Sequence, residues 1–74
     1  MKNKRPALTA RQQEILEFLK EYQDEWGCSA TLPDIVEQFS FTIGGAQYHV
    51  EVLKRKKYIS NQPGKHRSIV IIDT

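Results

Sequence analysis

TLPDIVEQFSFTIGGAQYHVEVL, residues Thr31–Leu53, reads as two short helices joined by a tight turn. Each half opens on a threonine, Thr31 or Thr42, whose hydroxyl can accept a hydrogen bond from an amide that the first helical turn leaves without a partner. Asp34 stands three residues after Thr31, where its carboxylate can return the bond to the cap's own amide. In the first helix Ile35, Val36 and Phe39 share one side. In the second Ala46, Val50 and Leu53 do so, spaced four and three apart, while Gly44, Gln47, Tyr48 and Glu51 face outward and His49 lies beside the inward stripe. Ser40 and Phe41 leave room only for a sharp junction, so the helices cross steeply and each needs a third element over its apolar side. That is the outline of a helix-turn-helix, although the same pattern also suits two helices of a plain helical core.

Working outward, the third element lies upstream. Thr9 and Gln12 repeat the cap pattern, and Ile15, Leu16, Leu19, Tyr22 and Trp26 recur at helical spacing, with Phe18 widening the stripe until Gly27 stops it. The aromatic residues of this helix read as core and rim packing. Cys28-Ser29-Ala30 is a connector, and Cys28 reads as a small half-buried apolar residue because no base or cation flanks it. Downstream, the second helix of the pair runs on through Lys54, Arg55, Lys56 and Lys57, whose charges complement a helix C-terminus. Tyr58 and Ile59 resume apolar character, Gln62-Pro63-Gly64-Lys65 signals a turn, and Ser68 to Ile72 is rich in β-branched residues. The prediction is a hairpin in which Ile69 and Ile71 alternate with Val70 and Ile72, one pair closing the core and the other left uncovered. The fold class is therefore mainly α with a small β-hairpin, a three-helix winged helix-turn-helix over residues 8–74. A flexible basic arm over residues 1–7 precedes it, from which Lys2, Lys4 and Arg5 can reach a phosphate backbone.

Composition narrows the function. Seventy-four residues support one domain with a core of about 12 to 15 side chains and a stability of about 3–5 kcal/mol. Cys28 is the single cysteine, so there is no intrachain disulfide, and no cysteine pair stands beside His49 and His66 to hold a metal. No apolar run approaches the length of a membrane span, and the basic start MKNKRP does not lead into an apolar signal core. These features predict an intracellular, cytoplasmic protein with neither metal nor cofactor. The net charge is only +2, but it is divided. Glu14, Glu17, Glu21, Asp24, Glu25, Asp34 and Glu37 lie in the first half, whereas beyond residue 38 Lys54, Arg55, Lys56, Lys57, Lys65 and Arg67 face only Glu51 and Asp73. A field of this kind steers a polyanion to one side of a molecule. No nucleophile and base form a constellation, so the sequence predicts a binding protein, not an enzyme.

With helices and hairpin in place, the chain resembles the N-terminal winged-helix domain of the LexA repressor family. The likeness runs through LTARQQEILEFLKEYQDEWG from Leu8 to Gly27, TLPDIVEQF from Thr31 to Phe39, HVEVLKRKKYI from His49 to Ile59 and PGKHRSIVI from Pro63 to Ile71, with one residue missing near Ser40. LexA proteins bind operator DNA as dimers and repress DNA-damage response genes. They also carry a C-terminal serine–lysine self-cleavage domain that provides dimer contacts. None of the 74 residues resembles that second domain, so the likeness implies DNA binding and repression without a basis for LexA's induction mechanism.

Carried across residue by residue, the resemblance places base reading at Thr42, Gly44, Gly45, Gln47 and Tyr48. Thr42 matches the family's serine cap and Gln47 a polar position, but at Gly44 the family has a base-contacting side chain where this chain has none. Two accounts of the glycines stand open: close backbone approach to DNA, with reading left to Gln47 and Tyr48, or loss of base reading. Gln47 can bridge adenine N6 and N7, Tyr48 can touch phosphate or a thymine methyl, and Glu51 can accept from cytosine N4. Lys54, Arg55, Lys56, Lys65 and Arg67 are the expected contacts to the DNA backbone. The expected partners are double-stranded DNA and a second copy of the chain, with no small-molecule substrate; Trp26 or the C-terminal strand can supply the dimer contact. The alternative is a winged-helix protein-interaction module that engages another transcription protein through Tyr48 and the glycine-exposed face.

Overall fold

The computed structural model describes residues 6–61 and 69–72. Three threonines start its three helices, at the places the sequence predicts. Helix α1, Ala10–Trp26, begins after Thr9, whose Oγ1 accepts from the Gln12 amide at 3.2 Å while its own amide donates to Gln12 Oε1 at 3.1 Å. Helix α2, Leu32–Phe39, begins after Thr31 with the same reciprocal pair to Asp34, at 3.4 and 2.9 Å. Helix α3, Ile43–Arg55, begins after Thr42, which accepts from the Gly45 amide at 3.0 Å. Nothing returns that bond, because Gly45 has no side chain to reach back.

The helix ends depend on the left-handed backbone region, where an L side chain crowds the following carbonyl. Gly27 enters it freely at φ 72° and stops α1, its amide donating to the Gln23 carbonyl at 2.9 Å. Ser40 enters it at φ 59° to turn α2 into α3, and the Phe41 amide reaches back to the Val36 carbonyl at 3.2 Å. Lys57 enters it at φ 73°, so α3 stops at Arg55 and does not run through Lys57 as the sequence predicts. The physical reason is a reciprocal cap: the Lys57 amide donates to Lys54 and the Tyr58 amide to Leu53, both at 3.0 Å, which satisfies carbonyls that the helix would leave open.

Packing follows the predicted faces. Ile15, Leu16 and Leu19 of α1 meet Ile35 of α2 and Ala46, Val50 and Leu53 of α3 in one buried cluster, which Ala30 joins from the connector. Val36 and Phe39 lie half-buried at its edge. Strands β1, Ile59–Asn61, and β2, Ile69–Ile71, pair antiparallel with Ile59 opposite Ile71 and Asn61 opposite Ile69. Two strands alone are barely stable in water, so the hairpin depends on Ile59 and Ile69, which are buried in the helical core. Val70 points away and is exposed. Trp26, read as core or rim, is 65% exposed at the end of α1. Residues 1–5 of the basic arm and the loop carrying Lys65 and Arg67 lie outside the described residues.

One contact set ties the two ends of the helical unit together. Lys56 Nζ donates to the Ala7 carbonyl and to Gln12 Oε1, each at 2.9 Å, and the Tyr58 hydroxyl donates to the Pro6 carbonyl at 2.8 Å. Gln12, although buried, is thereby satisfied from two sides.

Candidate nucleic-acid interface

An α-helix turns by about 100° per residue, so Gly44, Gln47, Tyr48 and Glu51 fall along one side of α3 and Ala46, Val50 and Leu53 along the other, with Ile43 at the border next to Val50. Burial follows that division. The first set is exposed, with Tyr48 at 61%, and the second is buried in the core that α3 shares with α1, α2 and the hairpin. Helix α3 thus presents a continuous ridge over three turns.

Of the residues expected to read bases, Gly44, Gln47 and Tyr48 lie on this ridge. Thr42 is exposed at its head with its hydroxyl engaged as the cap acceptor. Gly45 is half-buried on the flank, where a Cβ would stand 3.2 Å from Thr42 Oγ1. At Gly44 a Cβ would meet no atom within 4 Å, so the first turn of the ridge is bare. Ile43, which the sequence pattern does not mark as a site residue, is 56% exposed there. Its place three residues before buried Ala46 is that of an inward side chain, and only the three-dimensional packing shows that nothing covers the first turn.

Aromatic contacts hold the ridge to the rest of the molecule. Phe41 of the turn stacks on His49 at 5.1 Å and on Phe39 at 5.5 Å, Phe39 meets Phe18 edge-on at 5.6 Å, and Tyr48 meets His49 edge-on at 5.3 Å. The Arg11 guanidinium lies 5.8 and 5.6 Å from the Phe39 and Phe41 rings, which adds a cation–π contact from α1. The stack fixes the orientation of His49, whose buried Nδ1 finds no hydrogen-bond partner among the described residues.

The expected backbone contacts are treated unequally. Arg55 is exposed at the end of α3, and Lys54 is half-buried with Nζ 3.1 Å from Glu51 Oε2. Lys56 is turned inward to Ala7 and Gln12. Four other acidic residues gather on α1 and α2. A groove of about 450 Å³ is lined by Glu21, Glu25, Asp34 and Glu37, with Tyr22 and Trp26 among its walls. Among the described residues no group of His, Cys, Asp or Glu can hold a metal ion, and no helix is long and apolar enough to cross a membrane.

Comparison with known proteins points the same way as this geometry. The family model described as the LexA DNA binding domain matches residues 5–68. The chain is 40% identical over 65 residues to the LexA repressor of Thermosipho melanesiensis, a stretch that is 88% of this chain and 33% of that protein. It is 40% identical over 70 residues to the LexA repressor of Glaesserella parasuis, covering 93% of this chain and 34% of the relative. Against that of Haemophilus ducreyi it is 41% identical over 69 residues, 92% of this chain and 33% of the relative. The chain therefore spans about a third of the length of the curated relatives it matches. The family match takes in all three helices and the first strand, in a fold with an antiparallel hairpin behind an exposed third helix, and so the chain belongs to the LexA DNA-binding domain family.

Proposed function

We propose that this protein is a sequence-specific double-stranded DNA-binding protein that represses transcription, with α3 entering the major groove. The observation that carries the reading is the α3 ridge, exposed along its length and ending in Lys54 and Arg55, in a chain of this family. Gln47 is suited to an adenine edge and Tyr48 to a phosphate or a thymine methyl. Thr42 heads the ridge, and bare Gly44 beside Gly45 leaves the backbone room to approach the groove floor. Lys54 and Arg55 serve the DNA backbone, joined by Lys65 and Arg67 of the hairpin loop. Lys56 has one ammonium N–H beyond the two that it gives to Ala7 and Gln12, and that donor is its contribution to a phosphate. A single module buries about 600–1,000 Å² on DNA, so useful specificity calls for two copies on a two-fold site. The protein acts by binding and has no catalytic role.

The test is selection of fragments from a random DNA pool by the purified protein, then titration of the winner and a scrambled control at two salt concentrations. A palindromic preference, with affinity falling steeply as salt rises, is the expected result. Equal weak binding to both DNAs would overturn the reading in favour of the protein-interaction module.

A further inference from the structure

Ile43 is the residue of α3 whose exposure the core does not explain. Its side chain is 56% exposed at the first position of the helix. Gln47 follows one turn later on the ridge that Ile43 borders, and Tyr48, 61% exposed, lies across the bare position of Gly44. The ridge and its border over the first two turns thus offer two apolar surfaces and one amide, and no cation until the last turn. In the major groove guanine presents two acceptors, which Arg or Lys most often reads. Thymine presents a methyl group, which apolar side chains contact.

We propose that Ile43 is a specificity-determining residue that packs against the 5-methyl group of a thymine, with Gln47 reading a nearby adenine. The bases beneath the first two turns of α3 are then A·T pairs. This inference rests on the DNA-binding reading above. Gly44 matters to it as an absence: a side chain at that point of the ridge would hold α3 away from the groove floor, and a branched side chain as short as Ile43 reaches a methyl only at close approach. The spacing suits the same picture. Ile43 and Gln47 are about 6 Å apart along the helix axis, about two base-pair steps. A lone exposed isoleucine needs no explanation on most surfaces. Here it borders the head of a ridge with a second exposed apolar residue, on the one helix that the DNA-binding reading sets in the groove.

Deoxyuridine provides the test, because it removes the thymine methyl and nothing else. In the selected site each half-site thymine is replaced in turn by deoxyuridine, and binding is titrated with the wild-type protein and with Ile43→Ala. Ile43 lies outside the core, and its circular dichroism and urea midpoint establish that the variant is folded. At one thymine the wild type is expected to lose about fourfold in affinity, the worth of one buried methyl. Ile43→Ala loses a similar factor on the thymine site and becomes indifferent to deoxyuridine at that position. If deoxyuridine has no effect anywhere, or the same effect on both proteins, Ile43 reads no methyl, while a persisting base preference leaves the DNA-binding reading standing. If the wild type shows no base preference at all, both fall together.

Discussion

Gly44 and Gly45 are neighbours in the first turn of α3, but their surroundings set them different tasks. A glycine inside a helix costs about 0.5–1 kcal/mol relative to alanine, since the unfolded chain has more freedom to lose. At Gly44 an added Cβ meets nothing within 4 Å, so Gly44→Ala is expected to recover most of that amount as a higher urea midpoint. At Gly45 the same Cβ would sit 3.2 Å from Thr42 Oγ1 and push against the cap, so Gly45→Ala gains less or loses. On the DNA-binding proposal, the stability that Gly44→Ala recovers is what Gly44 gives up to keep the first turn of the ridge bare. Lys56 makes the opposite point, because it reads from sequence as one cation in a row of four. Its two hydrogen bonds, to Ala7 and Gln12, are part of the fold. Lys56→Met should lower stability by about 1 kcal/mol, discounted for partial exposure. That is a sizeable share of the few kcal/mol a domain of this size has, and the urea midpoint should fall with its slope unchanged.

Among the elements, the caps divide into two kinds. Thr9 and Thr31 each exchange a pair of bonds with the residue three ahead, while Thr42 receives one bond and returns none. Loss of a threonine cap costs about 1 kcal/mol, so Thr31→Ala, which breaks a reciprocal pair, should destabilise more than Thr42→Ala. Amide exchange should show the Thr42→Ala loss as faster exchange at Gly45 and its neighbours, with α1 protected as before. These starts are legible in the sequence because a cap is local chemistry, a hydroxyl and an amide three residues apart. The inward stripes from Ile15 to Leu53 are legible for a similar reason, as helical spacing. The stop of α3 is not, since it lies where Lys57 turns left-handed, the Lys57 and Tyr58 amides cap the Lys54 and Leu53 carbonyls, and Tyr58 packs back against the core. Ile43 is hidden in the same way: its spacing matches an inward residue, and only the absence of a neighbour above it exposes it.

For the whole molecule, the divided charge of the sequence becomes geography. Glu21, Glu25, Asp34 and Glu37 line one groove of α1 and α2, and Lys54 and Arg55 close the α3 ridge. If the ridge is the DNA face, each cation on it releases counterions on binding. Lys54→Gln and Arg55→Gln should then each reduce the slope of log affinity against log salt by about 1. Lys20→Gln, beside Asp24 in a separate hollow, should leave the slope unchanged. The tie between Lys56, Tyr58 and the segment Pro6–Ala7 bears on how the protein is made. Its bonds span 49, 44 and 52 residues of chain. On the ribosome, Pro6, Ala7 and Gln12 emerge long before their partners. Helix α1 can close its own threonine cap early, but its approach must wait for Lys56 and Tyr58 to clear the exit tunnel. Until then α1 carries its threonine cap without this lock, so the tie between the two ends of the helical unit closes only after residues 6–58 have all emerged.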